Sequence, residues 1–132
     1  MKIVTSGKKK TSIARAILTE GSGKIIINKK DYNNLPLFSK LSLLEPLKIS
    51  ENVLGKSNFD ATIEVNGGGE RSQIDAVRIA LAKGIVRFSK SKELAKAYTD
   101  YDRNLLVADI RRKEACKPGD SKARKKRQSS KR

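Results

Sequence analysis

Two hydrophobic periods succeed one another along a chain of 132 residues, and together they predict a single α+β domain. Phe59, Ala61, Ile63 and Val65 alternate with Asp60, Thr62 and Glu64, the pattern of a strand with one buried face. Just beyond it, Ile74, Val77, Leu81, Ile85 and Phe88 recur at spacings of three or four, the stripe of an amphipathic helix. A third observation sets the last stretch apart. Eleven of the 22 residues from Arg111 to Arg132 are Lys or Arg, and only Glu114 and Asp120 are acidic. Such a segment buries too little surface to offset the entropy of ordering, so alone in water it is expected to be disordered. The chain therefore divides into a body, 1–110, and an extended basic tail, 111–132.

The body's elements follow in order. Gly7-Lys8-Lys9-Lys10-Thr11-Ser12 places three lysines and two hydroxyls at a strand entrance, where they can meet phosphates. Thr11–Thr19 reads as a strand, with Ala14, Ala16 and Leu18 on one face. Glu20–Gly23 is a tight connection, and Lys24–Asn28, with its Ile25-Ile26-Ile27 triplet, is the returning strand of a hairpin. Asp31 caps a short turn that Pro36 interrupts. Ser39–Leu44 is helical, and Pro46 disfavours its continuation. Leu37, Leu41, Leu44 and Leu47 form one apolar stripe, read as core. Asn52–Asn58 is a loop before the strand at Phe59.

After that strand comes Asn66-Gly67-Gly68-Gly69, which matches no nucleotide-binding glycine pattern. The three glycines let the backbone turn sharply and approach RNA or another strand closely. Ser72-Gln73-Ile74-Asp75 reads as a capping box for a helix to about Phe88. Lys83, Arg87 and Lys90 lie opposite its buried stripe, on a face that is either solvated or set along a phosphate backbone. A short helix at about Lys92–Tyr98 ends at Asp100-Tyr101-Asp102. Leu105–Ala108 is expected as a closing strand, with the helix from Gln73 crossing between two strands of one sheet.

Charge narrows the function. The formal net charge is +16, of which the tail carries +9 and the body +7. A basic body bearing a more basic tail points to nucleic acid, because phosphate neutralisation releases counterions. No apolar run approaches the roughly 20 residues of a spanning helix. No secretory or lipidation signal is read, and the expected location is cytoplasmic. The single cysteine, Cys116, allows no internal disulfide, and there is no histidine. The usual general base and imidazole ligands are therefore missing. No enzyme, cofactor or metal is expected. The alternatives are a basic subunit of an RNA-processing ribonucleoprotein and, less favoured, an RNA-acting enzyme.

Read together, several motifs carry a resemblance. Gly7-Lys8-Lys9-Lys10-Thr11-Ser12, with Ala14 and Arg15, resembles the G-K/R-K/R-K-T-S/A-x-A-R opening of a ribosomal protein family, the ninth protein of the small subunit in its bacterial form. Gly23–Asn28 is similar to that family's G-K-I-x-I-N, and Val65–Gly69 to its V-x-G-G-G. In the tail, Asp109, Arg111 and Glu114 match D-x-R-x-x-E. Lys117, Gly119 and Lys122-Ala123-Arg124 match K-x-G-x-x-K-A-R. Gln128, Ser130, Lys131 and Arg132 match the terminal Q-x-S-K-R. The sequence departs from the family pattern after the glycines, at Ala115-Cys116, and at Ser129, where the family has an aromatic.

The resemblance implies a two-layer α/β sandwich with a left-handed βαβ crossover, like the second domain of the fifth small-subunit protein. It implies docking on 16S ribosomal RNA in the subunit head, beside neighbouring head proteins. It also implies a tail reaching the anticodon stem-loop of the P-site tRNA. The ribosomal RNA contacts it implies are Lys8, Lys9, Lys10, Thr11, Arg15, Gly67, Gly68, Gly69, Arg111, Arg112, Lys117, Lys122, Arg124, Lys125, Lys126 and Arg127. The tRNA contacts are Ser130, Lys131 and Arg132. No membrane and no homo-oligomer are implied.

Overall fold

The computed structural model describes residues 2–55, 58–120, 122–125 and 129–130. Strands β1 (Lys2–Lys9), β2 (Ser12–Glu20), β3 (Ile25–Ile27) and β4 (Lys30–Asp31) precede helix α1 (Leu37–Leu54). Strand β5 (Phe59–Asn66) leads to helices α2 (Glu70–Ser89) and α3 (Lys92–Tyr101). The five strands form one sheet in the order β1-β2-β5-β3-β4. β5 is antiparallel to β2 and parallel to β3, so the βαβ unit is β3–α1–β5. The helix after Gly69 is not that crossover, because no strand follows it among the described residues.

The alternation in β2 and β5 decides which sheet face is covered. Ala14, Ala16, Leu18, Ala61, Ile63 and Val65 are buried against the helices. Their neighbours Ile13, Arg15, Thr62 and Glu64 lie on the open face. Val77, Leu81 and Ile85 of α2 meet the buried face, joined by Leu43 of α1, Leu94 and Tyr98 of α3, and Leu105. Phe59 and Phe88 close one end, ring centroids 6.1 Å apart. Arg78 ties three elements, pairing with Glu45 and with Asp102.

Several expectations change. The hairpin partner of β2 is β1, joined by the two-residue turn Lys10-Thr11 with Lys10 left-handed at φ 53. The returning strand expected at Lys24–Asn28 does not pair with β2. The eight residues of β5 take that position, along Ile13–Glu20, and leave the three-residue β3 on their far side. The connection before β3 is fixed by Asp60, whose carboxylate accepts the backbone N–H groups of Ser22, Gly23 and Lys24 at 2.8–3.0 Å. These bonds, led by that from Lys24, hold its carboxyl below the usual carboxylate range.

Helix α1 is continuous through Pro46 and runs to Leu54, into the expected loop. Its buried face is Leu43, Pro46 and Ser50, with Leu47 packed against the core, because this face meets α2 and α3. Leu37 and Leu41 of the predicted stripe are exposed. The α2 helix begins at Glu70 with Gly69 as its cap. Ser72 sits a turn inside and bonds the Gly69 backbone. Helix α3 passes through Asp100-Tyr101 and ends at Asp102. Leu105–Ala108 is not a strand. A 3₁₀ turn over Arg103–Leu105, capped by Asp102, directs the amides of Leu106 and Val107 back to Arg103 O. Leu105 is thereby left fully buried.

Tyr98 donates its hydroxyl to Pro46 O at 2.7 Å, and burial raises its pKa above the ordinary phenol value. A raised folded-state pKa gives stability that is present below the unfolded value, about 10, and lost as pH rises past it. The urea midpoint is therefore expected to fall above about pH 10. Tyr98→Phe should weaken that alkaline dependence, and an unchanged profile would show that Tyr98 does not govern it.

Candidate nucleic-acid interface

Strand register gathers the predicted body residues at one end of the sheet. Ile13 stands opposite Asn66, so the Lys10-Thr11 turn and the glycine loop lie side by side. Ser12 is fully buried there. Its hydroxyl donates to Gly67 O at 2.9 Å and lies 2.8 Å from the Ser72 hydroxyl. Gln73 Nε2 adds a bond to Gly67 O at 3.1 Å. Gly67 and Gly68 have φ of 77° and 68°. A Cβ on Gly67 would stand 2.6 Å from Thr11 O, and one on Gly68 2.1 Å from Ser12 Oγ. These two glycines are therefore required by close approach to the chain's own hairpin. Gly69 has open space around it.

The cations around this end differ in their engagement. Lys8 and Lys10 are exposed. Arg15 projects from the open face, where its register partner is Glu64. With Thr11, Ile13, Asn66 and Gly67, these two residues line a shallow groove. Lys9 instead donates to Asp109 at 2.7 Å, and its side chain is only 19% exposed. Sequence reasoning placed Lys9 with the phosphate-facing lysines and missed this pair. The one available signal was an isolated acid, Asp109, just before a run of basic residues.

Asp109 anchors the start of the basic segment to β1. It accepts Lys9, the Arg111 guanidinium through Nε and Nη2 (2.8–3.2 Å), and the Arg111 backbone N–H at 3.0 Å. The Arg111 side chain first, and then Lys9, hold its carboxyl well below the usual range. Arg111 nevertheless remains 83% exposed. Arg112 reaches back to Asp109 O and Arg111 O.

From Arg111 onward the described residues form no helix or strand, and Lys117, Lys122, Lys125 and Ser130 are exposed. Arg124 donates to Glu114 at 3.1 Å across an exposed bend. Exposed pairs of this kind contribute about 0–1 kcal/mol, so phosphate can displace Glu114. Lys126, Arg127, Lys131 and Arg132 lie outside the described residues. No group of three or more Cys, Asp or Glu close enough to hold a metal occurs among the described residues. No described helix is long and apolar enough to cross a membrane. The surface offers a row of cations and small polar groups, the chemistry of phosphate neutralisation.

Comparison with known proteins agrees with that chemistry. Residues 7–132 match the family described as ribosomal protein S9/S16. Among similar proteins is the small ribosomal subunit protein uS9 of Methanococcus vannielii, 48% identical over 123 residues, covering 92% of this chain and 90% of that one. The uS9 proteins of Methanothrix thermoacetophila and Thermoplasma volcanium are 45% and 41% identical. They cover 98% and 97% of this chain, and 98% and 96% of their own lengths. These relatives are archaeal, so the bacterial form expected from the motifs is not borne out. With the match spanning nearly every residue, the chain belongs to the ribosomal protein S9/S16 family.

Proposed function

We propose that this protein is a non-catalytic, structural constituent of the small ribosomal subunit in the cytoplasmic ribosome. Its body, 1–110, docks on 16S ribosomal RNA in the subunit head, beside neighbouring head proteins. Its tail, 111–132, becomes ordered along that RNA. The observation that carries this reading is the tail itself: a +9 segment leaving a folded, basic body from a fixed point at Asp109. Lys8, Lys10, Thr11 and Arg15 meet phosphates at the hairpin end, and Gly69 leaves room for close backbone approach. Gly67 and Gly68 act by shaping the loop that presents them. Lys9 acts by holding Asp109, and so sets the tail's direction. Arg111, Arg112, Lys117, Lys122, Arg124, Lys125, Lys126 and Arg127 exchange bound counterions for phosphate along the tail's route.

Ser130, Lys131 and Arg132 form the tip and contact the P-site tRNA backbone. Lys acts there as a point charge and Arg as a planar fork. Deleting these three residues should weaken tRNA retention in the peptidyl site several-fold and leave subunit assembly nearly intact. Filter binding of tRNA to mutant subunits tests this, and unchanged retention would remove the tRNA role.

A further inference from the structure

We infer that a second RNA-backbone site runs along the free edge of β1, in a groove lined by Val4, Ser6, Arg15, Lys83, Arg87 and Leu106. The inference rests on the ribosomal RNA reading above and extends it from Arg15 to Lys83 and Arg87, whose helix face the sequence left open between solvent and a phosphate backbone. Lys83 and Arg87 are one helical turn apart on α2, about 6 Å along its axis, and they form a short cationic ridge beside β1. Arg87 leans onto the edge, its Nη1 3.5 Å from Val4 O. No carboxylate lines the groove. Among the described residues, no ion pair uses Arg15, Lys83 or Arg87. By contrast, Arg78 of the same helix is held by Glu45 and Asp102. Asp109, three residues beyond Leu106, is already taken by Lys9 and Arg111.

The floor is suited to a nucleotide chain. Val4 is 50% exposed and Leu106 is half-buried, giving apolar surface for sugars and base faces between the cations. An edge strand also presents unpaired backbone groups. Continuity favours RNA over an acidic peptide, because Arg15 lines both this groove and the one beside Thr11, Glu64, Asn66 and Gly67 at the hairpin end. The two grooves meet at that guanidinium, so one RNA strand can follow the open sheet face from the hairpin end and pass over the β1 edge to Lys83 on α2. Lys90, left-handed at the end of α2 with φ 53, is exposed and lies outside the groove lining.

The test uses the full chain and small-subunit ribosomal RNA, titrated with salt and footprinted with hydroxyl radicals. K83Q/R87Q should lower the salt slope by about 1.5, since each phosphate contact contributes roughly 0.7–0.9. Equivalently, its loss of affinity from about 50 to about 200 mM salt should be about tenfold smaller than the wild type's. One discrete protected patch should vanish while tail-dependent protections persist, and K83R/R87K should restore both. Circular dichroism matching the wild type confirms that the variant is folded. A slope and footprint identical to the wild type's overturn the groove. Loss of an acidic-protein crosslink with an unchanged footprint overturns it too, in favour of a protein partner. Salt-insensitive binding by the wild type itself overturns the underlying RNA reading, which separates the two failures.

Discussion

Gly7→Ala is expected to lower the melting temperature of the body by about 10 °C or more. Gly7 sits in β1 where α2 crosses it, and a Cβ there would stand 2.2 Å from Ala76 O and 2.6 Å from Ala80 N. Both are backbone atoms, so no rotamer change relieves the clash. Helix α2 must lift from the sheet, loosening the contact that buries Val77, Leu81 and Ile85. Overpacking typically costs about 1–3 kcal/mol and occasionally more, and the upper end applies where backbone meets backbone. Against a total stability of about 5–15 kcal/mol, that is a large fraction. Calorimetry of Gly7→Ala beside Gly69→Ala gives the contrast, because Gly69 has no atom within 4 Å of its would-be Cβ. Equal melting of the two variants would show that β1 and α2 are not in such close contact.

Removing residues 111–132 is expected to reduce ribosomal RNA affinity by orders of magnitude with little change in the body's fold. The deleted segment carries 11 of the chain's 30 Lys and Arg residues. If half of them meet phosphates, the salt slope flattens by about 4, at roughly 0.7–0.9 per contact. The body should remain folded, since among the described residues none beyond Leu106 belongs to the hydrophobic core or packs against it. Salt titration of binding and a thermal melt, on the same truncated protein, read the two halves of the prediction. An unchanged slope would place the dominant RNA contacts on the body instead.

The long periodic elements were legible because burial and period coincide in them. In β5 and α2 the apolar positions are the buried positions, so alternation and the three-or-four spacing show directly. β1 was illegible for the opposite reason. Its inward positions hold Thr5, whose hydroxyl donates to Ala80 O at 2.8 Å, and Gly7, which the helix backbone covers. Neither registers as hydrophobic, so the strand reads as a basic arm. At Leu105-Leu106-Val107 the apolar run was visible but its conformation was not, because Asp102 caps a turn there. Strand pairing also escaped, since nothing in Ile25–Ile27 states which neighbour it takes.

The candidate site divides in the same way. Lysines announce themselves by charge, but their engagement depends on distant residues. Lys9 is withdrawn by Asp109, 100 positions away. Arg87 gains its setting only when α2 is laid against β1.

The placement of β5 between β2 and β3 has a consequence during synthesis. A nascent chain emerges in sequence order, and its first 20 residues can form only the β1–β2 hairpin. The Ile25–Ile27 triplet follows, yet its parallel partner is not made until Phe59–Asn66 appears. Through that interval a β-branched segment and one edge of β2 have no mate. The helix that presses on Gly7 comes later still. Folding is thus weighted toward contacts distant in sequence, which slows it and exposes sticky intermediates. A ribosome stalled before residue 66 holds a chain that cannot close its sheet. Such a product would be a natural client for chaperones and proteases, with its cationic tail not yet made.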